Sequence, residues 1–386
     1  MSNDIQLTND TLFGLAIQTG TGATQYALMS TGYDTPLEPS DGYYFATTDI
    51  AVAPIKNMES LPPEIQARAL PGGMYPTGTW MEGVVSMIPR LDSRFGWFLL
   101  ATMGECSTLA GVTAAQVIAG TGSTADVNTH IFRFDEDQAF FIPWFSAWRQ
   151  LPHKTTTSRV LEKFQDCHVR SLTLAAMAGA PLNADVDVVG RLYQKSGGFT
   201  FSNPDPVLSA TYDNFEAFGS TGCTGSVKID DEAYNVQSAS ITITNAVMGA
   251  NQSIVVGSLH PIDFPVLGRN IQVVVNFLMS DYDLYLKVFG GSAASLAAGV
   301  NMVCQDYDGD IDIDIASQEL IGATAEYYRI RMRSGGSDNV SWFVRPLRAT
   351  ANRALVVQMT GLVQAVSSGD PFRIYLQNDT ANYTVS

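Results

Sequence analysis

The sequence predicts a mainly β protein: two tandem β-sandwich or barrel modules, each with one short α-helix and one long extended excursion loop. Three observations lead there. Apolar residues alternate in short runs separated by glycine and proline, of which the chain holds 33 and 17. Charged residues make up 16% of the chain against 46% apolar, so much of its surface is either uncharged Ser, Thr and Asn or covered by partners. An ordered series of patterns that starts near Asp49 also starts again near Ser238.

Each copy opens with an alternating strand, Asp49-Ile-Ala-Val-Ala-Pro-Ile in the first and Ser240-Ile-Thr-Ile-Thr-Asn in the second. A Pro-bearing stretch without helical period follows, from Met58 to Gly78 and from Val247 to Gly268. Each then returns into a strong strand, Trp80-Met-Glu-Gly-Val-Val-Ser-Met-Ile or Asn270-Ile-Gln-Val-Val-Val-Asn-Phe-Leu. An Asp/Ser pair able to cap a helix comes next, Asp92-Ser93 or Ser280-Asp281. The short aromatic segments behind these pairs predict one helix per module, with Phe95 and Leu99, or Tyr282 and Leu286, on the buried side.

Later strands pair off in the same order. His130-Ile-Phe-Arg-Phe matches Tyr328-Arg-Ile-Arg-Met, and Val169-Arg-Ser-Leu-Thr-Leu-Ala matches Arg353-Ala-Leu-Val-Val-Gln-Met. Asp187-Val-Val-Gly-Arg-Leu-Tyr-Gln matches Pro371-Phe-Arg-Ile-Tyr-Leu-Gln. With 386 residues to divide, this gives an N-terminal arm (1–40), a first module (41–200), a connector (201–236) and a second module (237–386). The competing reading is one large irregular β domain in which a strand, turn and helix recur by accident.

Several function classes are argued against. The net charge is −16 and the basic residues are scattered, which opposes tight nucleic-acid binding. Met1-Ser-Asn-Asp-Ile has no basic or apolar leader, and the longest apolar stretch, Phe95 to Met103, is too short to cross a bilayer; a soluble chain folded in a cytoplasm is expected. Cys106, Cys167, Cys223 and Cys304 show no paired spacing and are expected as free thiols. His130, His153, His168 and His260 share no metal-ligand spacing. Ala119-Gly-Thr-Gly-Ser-Thr lacks the Lys-Ser/Thr ending of a phosphate loop and is read as linker, and no Gly-x-Ser-x-Gly elbow occurs. No carboxylate pair stands out for glycoside hydrolysis among 38 acidic residues. Catalytic residues and cofactors are therefore not expected, and the chain is read as a non-enzyme.

The phrases Gly83-Val-Val-Ser-Met-Ile-Pro, Phe98-Leu-Leu-Ala-Thr-Met-Gly, His130-Ile-Phe-Arg-Phe, Val169-Arg-Ser-Leu-Thr-Leu and Ser240-Ile-Thr-Ile-Thr-Asn-Ala, in that order, resemble the major tail tube protein family of long-tailed, siphovirus-like bacteriophages. The resemblance implies a structural virion protein that self-assembles into stacked rings, forming the tube that conducts DNA during infection. A double module implies trimeric rings with pseudo-six-fold symmetry. It also implies a tape-measure protein, a tail terminator and distal tail proteins as partners, assembly in the host cytoplasm, no membrane, and DNA that passes without specific binding. The alternative is another virion or surface β-sandwich protein, a decoration or adhesin module, binding glycans through Trp144 and Trp148 in the Phe140-Phe-Ile-Pro-Trp-Phe-Ser-Ala-Trp cluster. A carbohydrate-active enzyme is a third class.

In that frame the excursions are ring-stacking arms, with Ile65, Leu70 and Met74 in the first and Ile254, Val255, Leu259 and Phe264 in the second too apolar to stand in water alone. The rival is that each folds back on its own domain. The run Asp306-Tyr-Asp-Gly-Asp-Ile-Asp-Ile-Asp314 is the sharpest local signal. Extended, it would align Asp308, Asp310, Asp312 and Asp314 on one acidic face suited to a lumen that repels phosphate. Asp306, Asp308 and Asp310 also have the ligand density of a calcium loop, without the glycine and bidentate glutamate of an EF-hand.

Overall fold

Two antiparallel sheets packed face to face form the body of the chain, as alternating strands with one apolar face require. The computed structural model describes residues 11–18, 43–60, 73–91, 94–120, 122, 124, 126–134, 142–151, 160–196, 225–278, 283–290, 307–335, 338–344, 355–366, 369–381 and 383. The first half contributes β1 (Leu12–Ile17), β2 (Tyr43–Phe45), β3 (Thr47–Ile50), β4 (Ala53–Ser60) and β5 (Met74–Met87). Then come helix α1 (Gly96–Met103), β6 (Gly104–Ala110), helix α2 (Ala114–Ala119), β7 (Asn128–Phe134), β8 (Phe145–Leu151), β9 (Val160–Met177) and β10 (Asn183–Ser196). The second half contributes β11 (Ser226–Ile229), β12 (Glu232–Tyr234), β13 (Val236–Val247), β14 (Val266–Leu278), helix α3 (Asp283–Gly290), β15 (Tyr307–Gly309) and β16 (Ile311–Leu320). It closes with β17 (Tyr327–Ser334), β18 (Val340–Val344), β19 (Val356–Val363) and β20 (Phe372–Asn378).

The larger sheet runs β15-β18-β19-β14-β13-β9-β10-β5-β3, with β4 pairing on β5 beyond β3, and with β8, β1 and β2 added beside β9. The smaller runs β12-β11-β16-β17-β20-β7-β6. Both cross between the halves, the larger at β13–β9 and the smaller at β20–β7. In the larger sheet the order β18-β19-β14-β13 is followed by β9-β10-β5-β3, so the same arrangement of strands occurs twice. The smaller sheet does not repeat this way: β17–β16 and β7–β6 face each other across β20.

Between the sheets lies one core. Ile241, Ile243, Val273, Val275, Leu172, Leu174, Val186 and Val85 from the larger sheet meet Ile311, Ile313, Ile315, Ile330, Met332 and Ile374 from the smaller. Helix α1 is sealed within it, with Phe98, Leu99 and Leu100 buried, each such side chain contributing roughly 1.5–3 kcal/mol. The run Gly-Trp-Phe-Leu-Leu-Ala-Thr-Met has no β-branched residue before Thr102, whose Oγ1 donates to the Phe98 carbonyl at 2.7 Å. Gly104, at φ 103°, ends the helix by returning its N–H to the Leu100 carbonyl.

Several elements differ from expectation. Asp187–Gln194 lies in the larger sheet as part of β10, whereas Phe372–Gln377 lies in the smaller as β20, so these two phrases do not correspond. Strand β19 occupies the place in the second half that β10 has in the first, and β18, which carries no expected counterpart, occupies that of β9. Alternation identifies a strand but not its neighbours. The first half contains a second helix, α2, where only one was expected. In α3 the buried residue is Leu284 and Leu286 is half-buried; Tyr282, and the capping pairs Asp92-Ser93 and Ser280-Asp281, lie outside the described residues. Part of the expected N-terminal arm is strand β1, with Phe13 and Leu15 in the core.

Candidate assembly surfaces

The outward face of the larger sheet follows from strand periodicity. Where Ile241, Ile243, Val273 and Val275 point inward, their neighbours Ser240, Thr242, Thr244, Gln272, Val274 and Asn276 point out. Ser171, Thr173 and Ala175 on β9 and Gln358 on β19 continue this surface, with Thr360 in the same parity but buried. The Thr173 and Thr242 hydroxyls hydrogen-bond across the β9–β13 junction at 3.0 Å. Neither Ser171–Ala184 nor Ala233–Ile262 contains a charged side chain. Among the described residues, carboxylates on this face lie to its sides: Asp49, Glu82, Asp185 and Asp187 on β3, β5 and β10, and Asp308 on β15. Arg170 donates to Asp187 at 2.8 Å and Glu82 at 3.2 Å.

At one end of this face sits the second excursion. Ala250–Gln252 forms a 3₁₀ turn, and Phe264 is fully buried in a small second core with Trp80, Trp144, Val189 and Ala250, flanked by Ile55 and Ile254. The Thr79 N–H donates to the Leu259 carbonyl at 2.7 Å, and Thr79 Oγ1 meets His260 Nδ1 at 2.9 Å. Arg191 Nε donates to the Pro261 carbonyl at 2.7 Å, while its Nη1 pairs with the fully buried Asp166 at 3.2 Å. Thus the excursion of the second half is fastened onto β4, β5 and β10 of the first half. Of its expected arm residues, Phe264 faces its own chain and is unavailable to a neighbour, because Trp80 and Trp144 offer an apolar seat. Ile254 is half-buried on that seat. Val255 and Leu259 are exposed, joined by Val256, which is fully exposed at 106%, and by Ile262. Met74, at the free end of β5, is exposed; Ile65 and Leu70 lie outside the described residues.

The aspartate run is not one strand. Tyr307–Gly309 pairs with β18 in the larger sheet and Ile311–Leu320 with β11 and β17 in the smaller. The chain bends at Asp310, whose N–H donates to Asp230 Oδ1 at 2.9 Å, and Gly309 leaves room for that carboxylate. Asp308 is exposed on the larger sheet. Asp312 and Asp314 are buried and paired: Arg331 Nε donates to Asp312 at 2.7 Å and Arg329 Nη1 to Asp314 at 2.6 Å. Burial pushes the Asp310 and Asp314 carboxyls upward, and the hydrogen bond to Asp312 raises the Arg331 guanidinium. The expected acidic face is therefore split between two sheets, and half of it is neutralised by cross-strand arginines. Among the described residues no group of three or more His, Cys, Asp or Glu is placed to hold a metal ion; Asp306 lies outside them.

The titratable groups inside the body are structural in their geometry. His130 Nε2 donates to Asn378 Oδ1 at 2.9 Å and its Nδ1 accepts from Thr108 Oγ1 at 2.8 Å, and burial pulls its pKa down to about 4. His168 is fully buried against the Trp144 ring, its Nδ1 donating to the Pro143 carbonyl, and burial lowers its pKa to about 3. Cys106 and Cys167 are free thiols, pushed upward by burial; Cys223, Cys304 and His153 are outside the described residues. Trp144 and Trp148 are buried and present no open ring face for a sugar. Sequence reasoning missed α2, although Thr113-Ala-Ala-Gln116 carries a complete capping box.

The fold is a β sandwich whose larger sheet has an outward face neutral along its centre and flanked by carboxylates, with exposed apolar side chains at its ends. The chain belongs to the phage tail tube protein family, whose description it matches over residues 8–327. Nothing among curated proteins matches it. Family membership makes it a structural component of the virion tail, associating with itself in a tube. Among the described residues no helix is long and apolar enough to cross a membrane.

Proposed function

We propose that three copies of this chain close into a ring in which each half fills one of six similar positions. The rings stack into the tail tube, and the outward face of the larger sheet lines the channel through which DNA passes. The observation that carries this reading is the strand order of the larger sheet. Because β18-β19-β14-β13 is followed in the same sheet by β9-β10-β5-β3, the β13–β9 junction inside one chain is a template for a contact between chains. The edge formed by β3 and β4 of one copy would continue from the opposite edge of the next, formed by β15 and the end of β18 that β15 leaves uncovered, removing the free edges that a sandwich otherwise exposes.

The face assigned to the channel suits DNA passage. Its hydroxyls and amides are uncharged and its carboxylates repel phosphate, while Arg170 is held by two of them. Asp308 belongs to this face; Asp312 and Asp314 do not. In this reading the rings assemble on a tape-measure protein in the host cytoplasm, between distal tail and terminator proteins, and no catalytic step is involved. A strand of 13 residues, such as β14, spans about 44 Å at 3.4 Å per residue, and tilt shortens that length along the axis to a repeat of roughly 40 Å or less. Negative-stain microscopy of concentrated protein tests this: hollow tubes with such a repeat support it, and discrete monomers at all concentrations sink it.

A further inference from the structure

Resting on the tail tube reading, we infer that Met74 of one copy seats on Leu362 of the next copy in the same ring, fastening chain to chain sideways as Phe264 fastens one half to the other within a chain. The two halves can be matched residue by residue because their ladders slip at the same places. Against β5 the pairing skips between Thr47, opposite Met87, and Asp49, opposite Ser86; against β14 it skips between Val236, opposite Phe277, and Ser238, opposite Asn276. A second irregularity follows at Asn57/Met58 in the first half and at Asn245/Val247 in the second. Bulges at like places pin the register, so Gly78 stands for Gly268, Trp80 for Asn270 and Met74 for Phe264. On the next strand over, Val189 lies opposite Glu82 and Leu362 opposite Gln272, so these two correspond as well.

The matched positions differ in exposure, always in one direction. Inside the chain the junction is filled: Phe264 and Val189 are each 1% exposed, and a Cβ added at Gly78 would strike the Ile254 side chain. At the outer edges the same places stand open. Met74 is 66% exposed and Leu362 37%, and a Cβ added at Gly268 would meet nothing within 4 Å. Phe264, leading into β14 beside β13, reaches its seat across β9, on β10 and β5. Met74, at the start of β5 beside β4, would reach across the neighbour's β18 to its β19 and β14 in the same way, once the β3–β4 edge continues from that neighbour's β18 edge. Contact then removes two exposed apolar side chains from water together. Asn270 and Thr244, opposite one another, stand where Trp80 and Ile55 stand in the filled seat, so the open seat is shallower and more polar. An unbranched methionine adapts to such a seat, with a weaker grip than Phe264 has on its own chain.

Met74→Cys with Leu362→Cys in one chain, oxidised after assembly, should give a 74–362 disulfide between chains by peptide mapping, and a covalent ladder that stops at a closed trimer. The bridge cannot form within one chain: β10, β9, β13 and β14 lie between β5 and β19, a separation of about 24 Å at 4.8 Å per strand, against at most about 7 Å between the Cα atoms of a disulfide. Met74→Asp places a charge in each seam and should raise the concentration at which rings form at least about tenfold. Leu362→Lys in the same chain should restore most of that loss. Both side chains reach solvent in the single chain, so unfolding midpoints should match the unaltered protein. Rings without the 74–362 bridge, a ladder that runs past three chains, or Met74→Asp rings that close at the ordinary concentration would overturn this inference while leaving the tail tube reading intact. Failure of the unaltered chain to form rings or tubes at all would overturn both.

Discussion

Acidification should loosen this protein through two histidines, by an amount that follows from their burial. In the folded chain His130 and His168 are held neutral, with pKa values of about 4 and about 3 against 6.5 when exposed. A pKa depressed on folding gives stability that is complete above 6.5 and lost as the pH falls toward the folded value, since the unfolded chain takes up the proton first. At pH 5 each histidine is about 1.5 pH units into that window, which at 1.36 kcal/mol per unit is about 2 kcal/mol, or about 4 kcal/mol for the pair. That is a large share of a typical folding free energy of roughly 5–15 kcal/mol. Asp314, whose carboxyl is raised by burial, works in the opposite direction and offsets part of the loss. The assay is denaturant unfolding of the unassembled chain at pH 7.5 and pH 5 at constant ionic strength, repeated for His130→Gln and His168→Gln. Each variant is less stable at pH 7.5 but should lose about 2 kcal/mol less on acidification. A stability that does not fall between these pH values, or a fall that both variants leave untouched, would refute the reasoning.

Three further outcomes follow from the packing. Phe264→Ala should cost about 3 kcal/mol, the lower end for a buried phenylalanine because the excursion can settle into the gap, and hydrogen exchange should show faster opening of residues 247–266 than of β13 and β14. Gly96→Ala drives a methyl group into the Tyr383 ring, which is packed edge-on to Trp97 and His130. Adding Tyr383→Ala should restore part of the loss, a coupling above about 1 kcal/mol in a double-mutant cycle on thermal unfolding. Asp312→Ala leaves the half-buried Arg331 with only Asp314 near it and should cost about 2–3 kcal/mol by chemical denaturation, with Arg331→Met in the same chain recovering most of it.

Local pattern was enough to read much of this chain. The strong strands β5 and β14, the helix within Phe95–Met103 and the strand at His130 all declare themselves, because period and turn residues are local properties. So was the low charge that keeps most of the larger sheet's outward face neutral. Partnership was less legible. The phrases at Asp187 and Phe372 look alike as sequence yet lie in different sheets, since pairing is chosen by what closes the core. The aspartate run alternates as a single strand would, yet Asp230, far away in the chain, bends it at Asp310 and sends its halves to separate sheets.

The candidate surfaces divide the same way. That the second excursion is apolar and needs support is visible from Ile254, Val255, Leu259 and Phe264. Which of them meets solvent was decided only when Trp80 of β5, Val189 of β10 and Trp144, just ahead of β8, formed a seat for Phe264 and left Val255 and Leu259 outside. The exposed pair Leu278 and Val356 has no sequence signature at all, because the two become neighbours only through the β14–β19 register. Composition and period by themselves determined a neutral-faced β sandwich with apolar excursions; register and docking decided where its apolar ends are, because both depend on contacts between residues far apart in the chain.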